Sequence, residues 1–176
     1  MVRIRSRRRE DVLKLVESGE VDMGVVPGPE KNPSLKFDSV FGYERVLIAP
    51  KGHPIAQKPL ISLDQIASWP LVLMGPGTHT RTVLENEFRR KGFLWEVVVE
   101  LDSMDIIKRY VAEGMGISVG PRLSLEPGDE ERLEVLNLTA LMPMEQAGIV
   151  TLHGKSLSVP ARNFIALFKK TMADNV

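Results

Sequence analysis

With 176 residues, the chain has room for one ordinary domain or for two small lobes between which it crosses. Hydrophobic residues at 43% and charged residues at 26% are the mixture of a globular protein that buries a core. Lys plus Arg and Asp plus Glu each number 23, which excludes a global field that would hold nucleic acid or an acidic membrane; a segment that binds DNA would lie outside this chain. The absence of cysteine excludes disulfides, thiolate catalysis and cysteine metal sites, and it fits a reducing cytoplasm. Met1-Val2-Arg3-Ile4-Arg5 has no apolar signal-peptide core, and no apolar run approaches the roughly 20 residues of a membrane helix.

Val2 and Ile4 alternate with Arg3 and Arg5, the outline of a half-buried strand. From Glu10 the spacing is helical, with Val12, Leu15 and Val16 on one face and Gly19 past the end. Val21 to Val26 reads as a buried strand that stops at Pro27-Gly28-Pro29. Leu35 to Phe41 and Tyr43 to Ala49 are two more. Ser62-Leu63-Asp64-Gln65 is a capping box opening a short helix. A strand follows at Pro70 to Met74, then a loop at Gly75 to Thr80. The next helix carries Val83, Leu84 and Phe88 inward and closes at Gly92. Trp95 to Leu101 is a strand, and Ser103 caps a helix bearing Ile107, Tyr110 and Val111. Further strands run over Gly116 to Val119, Leu133 to Leu138 and Ala147 to Leu152. A last helix starts at Ser158 and Pro160, with Phe164, Leu167, Phe168 and Met172 on its apolar side.

Alternating strands and helices argue for parallel sheets covered by helices. Residues 52–138 read as one self-contained lobe. Residues 1–51 with 139–176 form the other, so the chain crosses a hinge twice.

Gly75-Pro76-Gly77-Thr78-His79-Thr80-Arg81 leads from a strand into a helix, where amides and the positive helix end make a natural anion cradle. Thr78, His79, Thr80 and Arg81 are the polar candidates there. Plain capping by Thr78 or Thr80 beside a solvated Arg81 explains the same residues, and the pattern leaves both open. Tyr43 either lines a site or packs on the sheet. Val26 and Pro27 end a strand where open α/β sheets place ligands. Gly116-Ile117-Ser118-Val119-Gly120 matches Gly-x-Ser-x-Gly, with Asp129 and His153 in hydrolase order. A nucleophile elbow needs a strand, a sharp turn at Ser and a following helix, whereas here a helix comes immediately before. The arginines between Arg3 and Arg9 read as a solvated strand face more readily than as a nucleic-acid arm. His53, His79 and His153 lie far apart, which gives no support for a metal site. No cofactor is expected, and the 8 methionines are core fillers first.

Five segments, in order, resemble the effector domain of LysR-type transcription regulators. They are Val12 to Val25 with Gly19, Asp22 and Gly24; Arg45 to Ala56 ending in His53-Pro54-Ile55-Ala56; Ser62 to Val72; Val111 to Pro121; and Ala161 to Phe168. The resemblance covers nearly the whole chain. It implies a periplasmic-binding-protein-like fold of type 2: two Rossmann-like lobes, two crossover strands and an effector in the cleft between them. It also implies a cytoplasmic, dimeric DNA-bound regulator with no catalytic chemistry. The winged helix-turn-helix, the linker helix and the first lobe's first strand and helix of that family are not in this sequence. On this resemblance Thr78, His79, Thr80 and Arg81 are the polar grips on a small organic acid or inorganic oxyanion. Tyr43, Val26 and Pro27 line the site, and the backbone of Gly116, Ile117 and Ser118 forms its floor. A stand-alone solute-binding protein and a hydrolase using Ser118 are the competing functions.

Overall fold

The computed structural model describes residues 3–28, 31–59 and 62–174. Val2 and Pro29, on which parts of the strand and turn readings rest, lie outside them. The chain divides into two compact units, Met1–Gly42 with Glu145–Val176 (unit 1) and Tyr43–Met144 (unit 2). The exchange points fall at 42/43 and 144/145 rather than 51/52 and 138/139, because the strand after Glu44 pairs wholly with strands of unit 2.

Unit 1 contains α1 (Arg9–Glu17), β1 (Met23–Pro27), β2 (Leu35–Tyr43, whose last residue belongs to unit 2), β8 (Glu145–Leu152) and α6 (Val159–Asp174). Acidic Glu10 and Asp11 sit in the first turn of α1, where the helix dipole favours them. Its apolar stripe packs Val16 with Val26, Leu35 and Val150. The sheet order is β1-β8-β2, so the middle strand comes from the C-terminal part of the chain; β1 and β8 are antiparallel, with Met23 opposite Thr151 and Pro27 opposite Ala147. Residues 3–8 form no strand, since no described strand pairs with them, and Ile4 stays 82% exposed. On α6, Phe164 and Phe168 stack, and Phe168 meets Phe41 edge-on at 6.3 Å. Leu167, expected on the same apolar side, is 64% exposed; it is one residue, or about 100° of helix, away from Phe168.

Unit 2 contains β3 (Arg45–Pro50), α2 (Asp64–Ala67), β4 (Leu71–Met74), α3 (His79–Lys91), β5 (Val97–Leu101), α4 (Met104–Ala112), β6 (Ser118–Pro121), α5 (Asp129–Arg132) and β7 (Leu133–Asn137). One arm of the capping box before α2 is formed: the Ser62 amide donates to Gln65 Oε1 at 3.0 Å. β4 and β5 pair in parallel, and a parallel bridge from Leu71 to Ile117 ties them to β6. β6 and β7 flank β3, each antiparallel to it. Four strands therefore run one way and β3 runs the other, a departure from the all-parallel expectation. β3 is entered from β2, a strand of the other sheet, rather than through a crossover helix of its own sheet, the connection that parallel neighbours need.

Successive residues of β3 enter opposite cores. Leu47 and Ala49 join Leu71, Leu73, Leu84, Phe88 and Ile117 on the α3 side. Val46 and Ile48 join Val72, Ile107, Val111 and Leu133 on the α4 side. A strand covered on both faces reads as an unbroken apolar run, as Val46 to Ala49 does. Arg45, just ahead of that run and almost fully buried, donates from Nη1 to the Pro143 carbonyl at 2.9 Å. This bond fastens the start of β3 to the segment where the chain leaves unit 2.

On α4 Tyr110 is exposed, while Lys108, only 5% exposed, is buried along with Ile107 and Val111. The Lys108 ammonium donates to the Ser124 carbonyl and to Asp129 Oδ2, both at 2.8 Å, while Asp129 also accepts from the Glu126 amide. Burial disfavours both charges, but these bonds more than offset it: the Lys108 pKa lies above its ordinary value and the Asp129 pKa below. The contact pins the connection between β6 and β7 onto α4.

Two stability outcomes follow. A Cβ on Gly148 would lie 2.3 Å from the Asp38 carbonyl oxygen on β2, so Gly148→Ala is expected to lower unfolding stability by about 1–3 kcal/mol in a denaturant titration. Asp129 holds a depressed pKa in the fold, so its contribution is present above its ordinary 3.8 and is lost as pH falls through the folded value. Asp129→Asn should cost roughly 1.5–3 kcal/mol at pH 7, and the difference from the parent chain should shrink below about pH 4.

Candidate functional site

The parallel ends of β4 and β5 lie side by side, Met74 opposite Leu101, and the Gly75 amide donates to the Leu101 carbonyl at 3.0 Å. Each strand then feeds a helix: α3 begins after Thr78 and α4 after Ser103. Ligands of open α/β sheets collect outside such carboxyl ends. Both N-cap residues have extended backbones, yet neither hydroxyl caps its own helix. Thr78 Oγ1 instead donates to the Gly75 carbonyl at 3.0 Å. The Thr78 carbonyl first accepts from the Thr82 amide and the Ser103 carbonyl from the Ile107 amide, so the amides of Thr80 and Arg81 precede the backbone ladder of α3. Thr78, His79, Thr80 and Ser103 are all half-buried. Two helix starts with hydroxyl-bearing caps thus face the same sheet end, an arrangement suited to holding a compact anion.

Arg81 sits within that turn but is only 8% exposed. Its Nε donates to Glu85 Oε1 at 2.7 Å, Nη1 to the Met74 carbonyl at 2.9 Å and Nη2 to Glu100 Oε1 at 2.8 Å. Arg89 takes the other Glu85 oxygen at 3.0 Å. Burial alone would lower the Arg81 pKa, but the two carboxylates reverse this and raise it. The guanidinium is committed to internal partners, unlike the solvated Arg81 of the capping account.

Gly116 and Ile117 run beside Pro70 and Val72, with Ile117 N–H donating to the Pro70 carbonyl and Val72 N–H to the Ile117 carbonyl, both at 2.9 Å. Gly116 has φ 155°, and a Cβ there would lie 2.4 Å from the Pro70 oxygen, so the close approach requires glycine. Ser118 opens β6 opposite Ile48, and its hydroxyl is fully buried. It is at a strand start, not at the tip of a strand-to-helix turn; Asp129 is engaged with Lys108, and His153 is exposed. The nucleophile elbow is not formed. Tyr43 closes β2 and is buried, while Val26 is buried in unit 1 and the Pro27 carbonyl accepts from Arg9 Nε at 2.9 Å. Thr78 to Arg81 and Gly116 to Ser118 all belong to unit 2, whereas Val26 and Pro27 belong to unit 1.

Ser103 and Glu100 are the residues that pattern reading passed over. Ser103 registers in sequence as an ordinary cap, and only the parallel pairing of β4 with β5 brings it level with Thr78. A separate cleft of about 260 Å³ in unit 2 is lined by Asp105, Lys108, Arg109, Glu126, Asp129 and Arg132. Its buried cation already has its partners, so the cleft reads as the rim of a structural lock. Among the described residues no three His, Cys, Asp or Glu side chains are grouped to hold a metal ion, and no helix is long and apolar enough to cross a membrane.

Residues 1–173 match the family model described as the LysR substrate binding domain. The HTH-type transcriptional regulator cbl of Escherichia coli is 33% identical over 125 residues, 70% of this chain and 40% of that protein. SsuR, an HTH-type transcriptional regulator of Burkholderia cenocepacia, is 24% identical over 94% of this chain and 54% of its own length. The chain thus spans about half the length of the curated relatives it matches. Among solved structures, the cofactor-binding domain of the Cbl regulator aligns with TM-score 0.81 at 28% identity, over 92% of this chain and 71% of that one. The regulatory domain of Synechocystis CcmR in complex with 2-PG aligns with TM-score 0.83 at 26% identity, over 94% and 80%. The fold is therefore the periplasmic-binding-protein-like α/β fold of these effector domains, and the chain belongs to the LysR substrate binding domain family.

Proposed function

We propose that the chain senses a small oxyanion on behalf of a cytoplasmic LysR-type transcription regulator, and that unit 2 grips the anion at the starts of α3 and α4. The carrying observation is the pair of hydroxyl-bearing helix starts at the joined ends of β4 and β5. Thr80 and Ser103 supply hydroxyl donors and the first-turn amides supply the rest, while Thr78, whose hydroxyl donates to the Gly75 carbonyl, holds the turn and His79 borders it. The backbone of Gly116 to Ser118 supports β4 from its other edge. The 2-PG complex of the CcmR regulatory domain supports an anionic ligand. The helix-turn-helix naming of the curated relatives favours a regulator over a stand-alone solute-binding protein. DNA contact then falls to a helix-turn-helix elsewhere in the regulator, which acts as a dimer. An anion that binds one conformation better than another shifts the population toward it, and that differential affinity is the only energy available for signalling.

A thermal-shift screen with 2-PG, sulfate and small carboxylic acids tests this reading. A ligand at about 100 times its Kd stabilises by roughly 2.7 kcal/mol, so at least one probe should raise Tm by several degrees. Thr80→Val and Ser103→Ala should each weaken that probe about tenfold, the size of one lost hydrogen bond. If no anion raises Tm, or if both variants respond like the parent, the reading fails.

A further inference from the structure

Resting on the anion-site reading, we infer that Arg81 is a positioning residue that sets the first turn of α3, and that the anion is recognised by uncharged donors around it. Three observations converge. The guanidinium is nine-tenths buried and its three donor nitrogens are each matched, to Met74 O, Glu85 and Glu100. Those partners belong to three elements: the last residue of β4, the second turn of α3 and the body of β5. Arg81 itself is the third residue of α3, so its fork ties that turn to both strands whose ends carry Thr78 and Ser103. A planar fork held by two carboxylates and a carbonyl fixes direction as well as distance, which a lysine ammonium does not.

The charge bookkeeping points to the ligand class. Arg81 and Arg89 face Glu85 and Glu100, so the cluster is close to neutral and offers an incoming anion little net attraction. Recognition then falls to amides and hydroxyls, a donor set that suits a compact, acceptor-dense oxyanion better than an extended polyanion.

The two roles for Arg81 predict opposite signs. Isothermal titration of 2-PG and of sulfate at constant ionic strength, well below Tm, is made on the parent chain and on Glu100→Gln, Arg81→Lys, Arg81→Gln and Thr80→Val. A positioning role predicts that Glu100→Gln weakens the bound probe three- to tenfold and that Arg81→Lys weakens it as much as Arg81→Gln. The backbone amide resonances of residues 78–82 should move in the ligand-free Glu100→Gln protein. If Arg81 instead touches the anion, releasing it from Glu100 tightens binding and Arg81→Lys keeps most of it; either result overturns the inference. Unchanged affinity in Glu100→Gln also overturns it. Glu100 is 47% exposed, so its substitution keeps the test alive if the Arg81 variants do not fold. Failure of the underlying site looks different: the parent chain binds neither probe, or Thr80→Val loses nothing.

Discussion

A guanidinium taken out of water must have its donors met, and around Arg81 that requirement organises the joined ends of β4 and β5 and the start of α3. Meeting it takes a carbonyl at the end of β4, a carboxylate one turn along α3 and a carboxylate on β5. Each partner comes from a different element, so the bonds exist together only when the parallel pair is in register and α3 has started at Thr78. A group that has lost its hydration is expensive to leave unmatched. Alternative registers of β5 or a shifted start of α3 are therefore disfavoured by the same side chain. Lys108 plays a similar part on the opposite face, where it binds a loop carbonyl and Asp129 to hold the connection between β6 and β7.

Much of the fold is legible in local patterns. The helix spacing of α1, the Ser62–Gln65 box and the unbroken apolar run of β3 each identify an element whose burial agrees with its period. What pattern reading misses depends on partners distant in sequence. Alternation at Arg3 to Arg5 implies a strand, but a strand needs a neighbour to bond with. The direction of β3 is defined by its antiparallel pairing with β6 and β7, strands far along the chain that a local pattern does not reveal. On the helices, Leu167 and Tyr110 are apolar or aromatic yet exposed, while Lys108 is charged yet buried; hydropathy ranks these the wrong way because it cannot see the matched carboxylate.

The proposed site divides along the same line. A strand, a Gly-Pro-Gly turn and a threonine-bearing helix start mark Thr78 to Thr80 from sequence alone. The Arg81–Glu85 pair is also visible, since i,i+4 spacing brings the two together on a helix. Glu100 is 19 residues away and joins only through the β4–β5 pairing. Without it Arg81 looks like an available cation, so the sequence pattern leaves a ligand contact and a solvated side chain equally open. In the same way Ser118 sits inside a Gly-x-Ser-x-Gly string, but it is fully buried at the start of a strand opposite Ile48 rather than at a strand-to-helix turn.

The order of strands in unit 1 bears on how the polypeptide matures. Unit 2 is one uninterrupted stretch, with Arg45 and Pro143 clasped near its two ends, so it has all its sheet partners once residue 144 is made. Unit 1 is split around it, and β8, the strand that β1 and β2 both bond to, is synthesised last among the strands. Until then β1 and β2 keep unpaired edges, the kind of surface that chaperones and stray strands recognise. Vectorial synthesis thus makes the inserted unit a finished scaffold while the split one waits for its keystone.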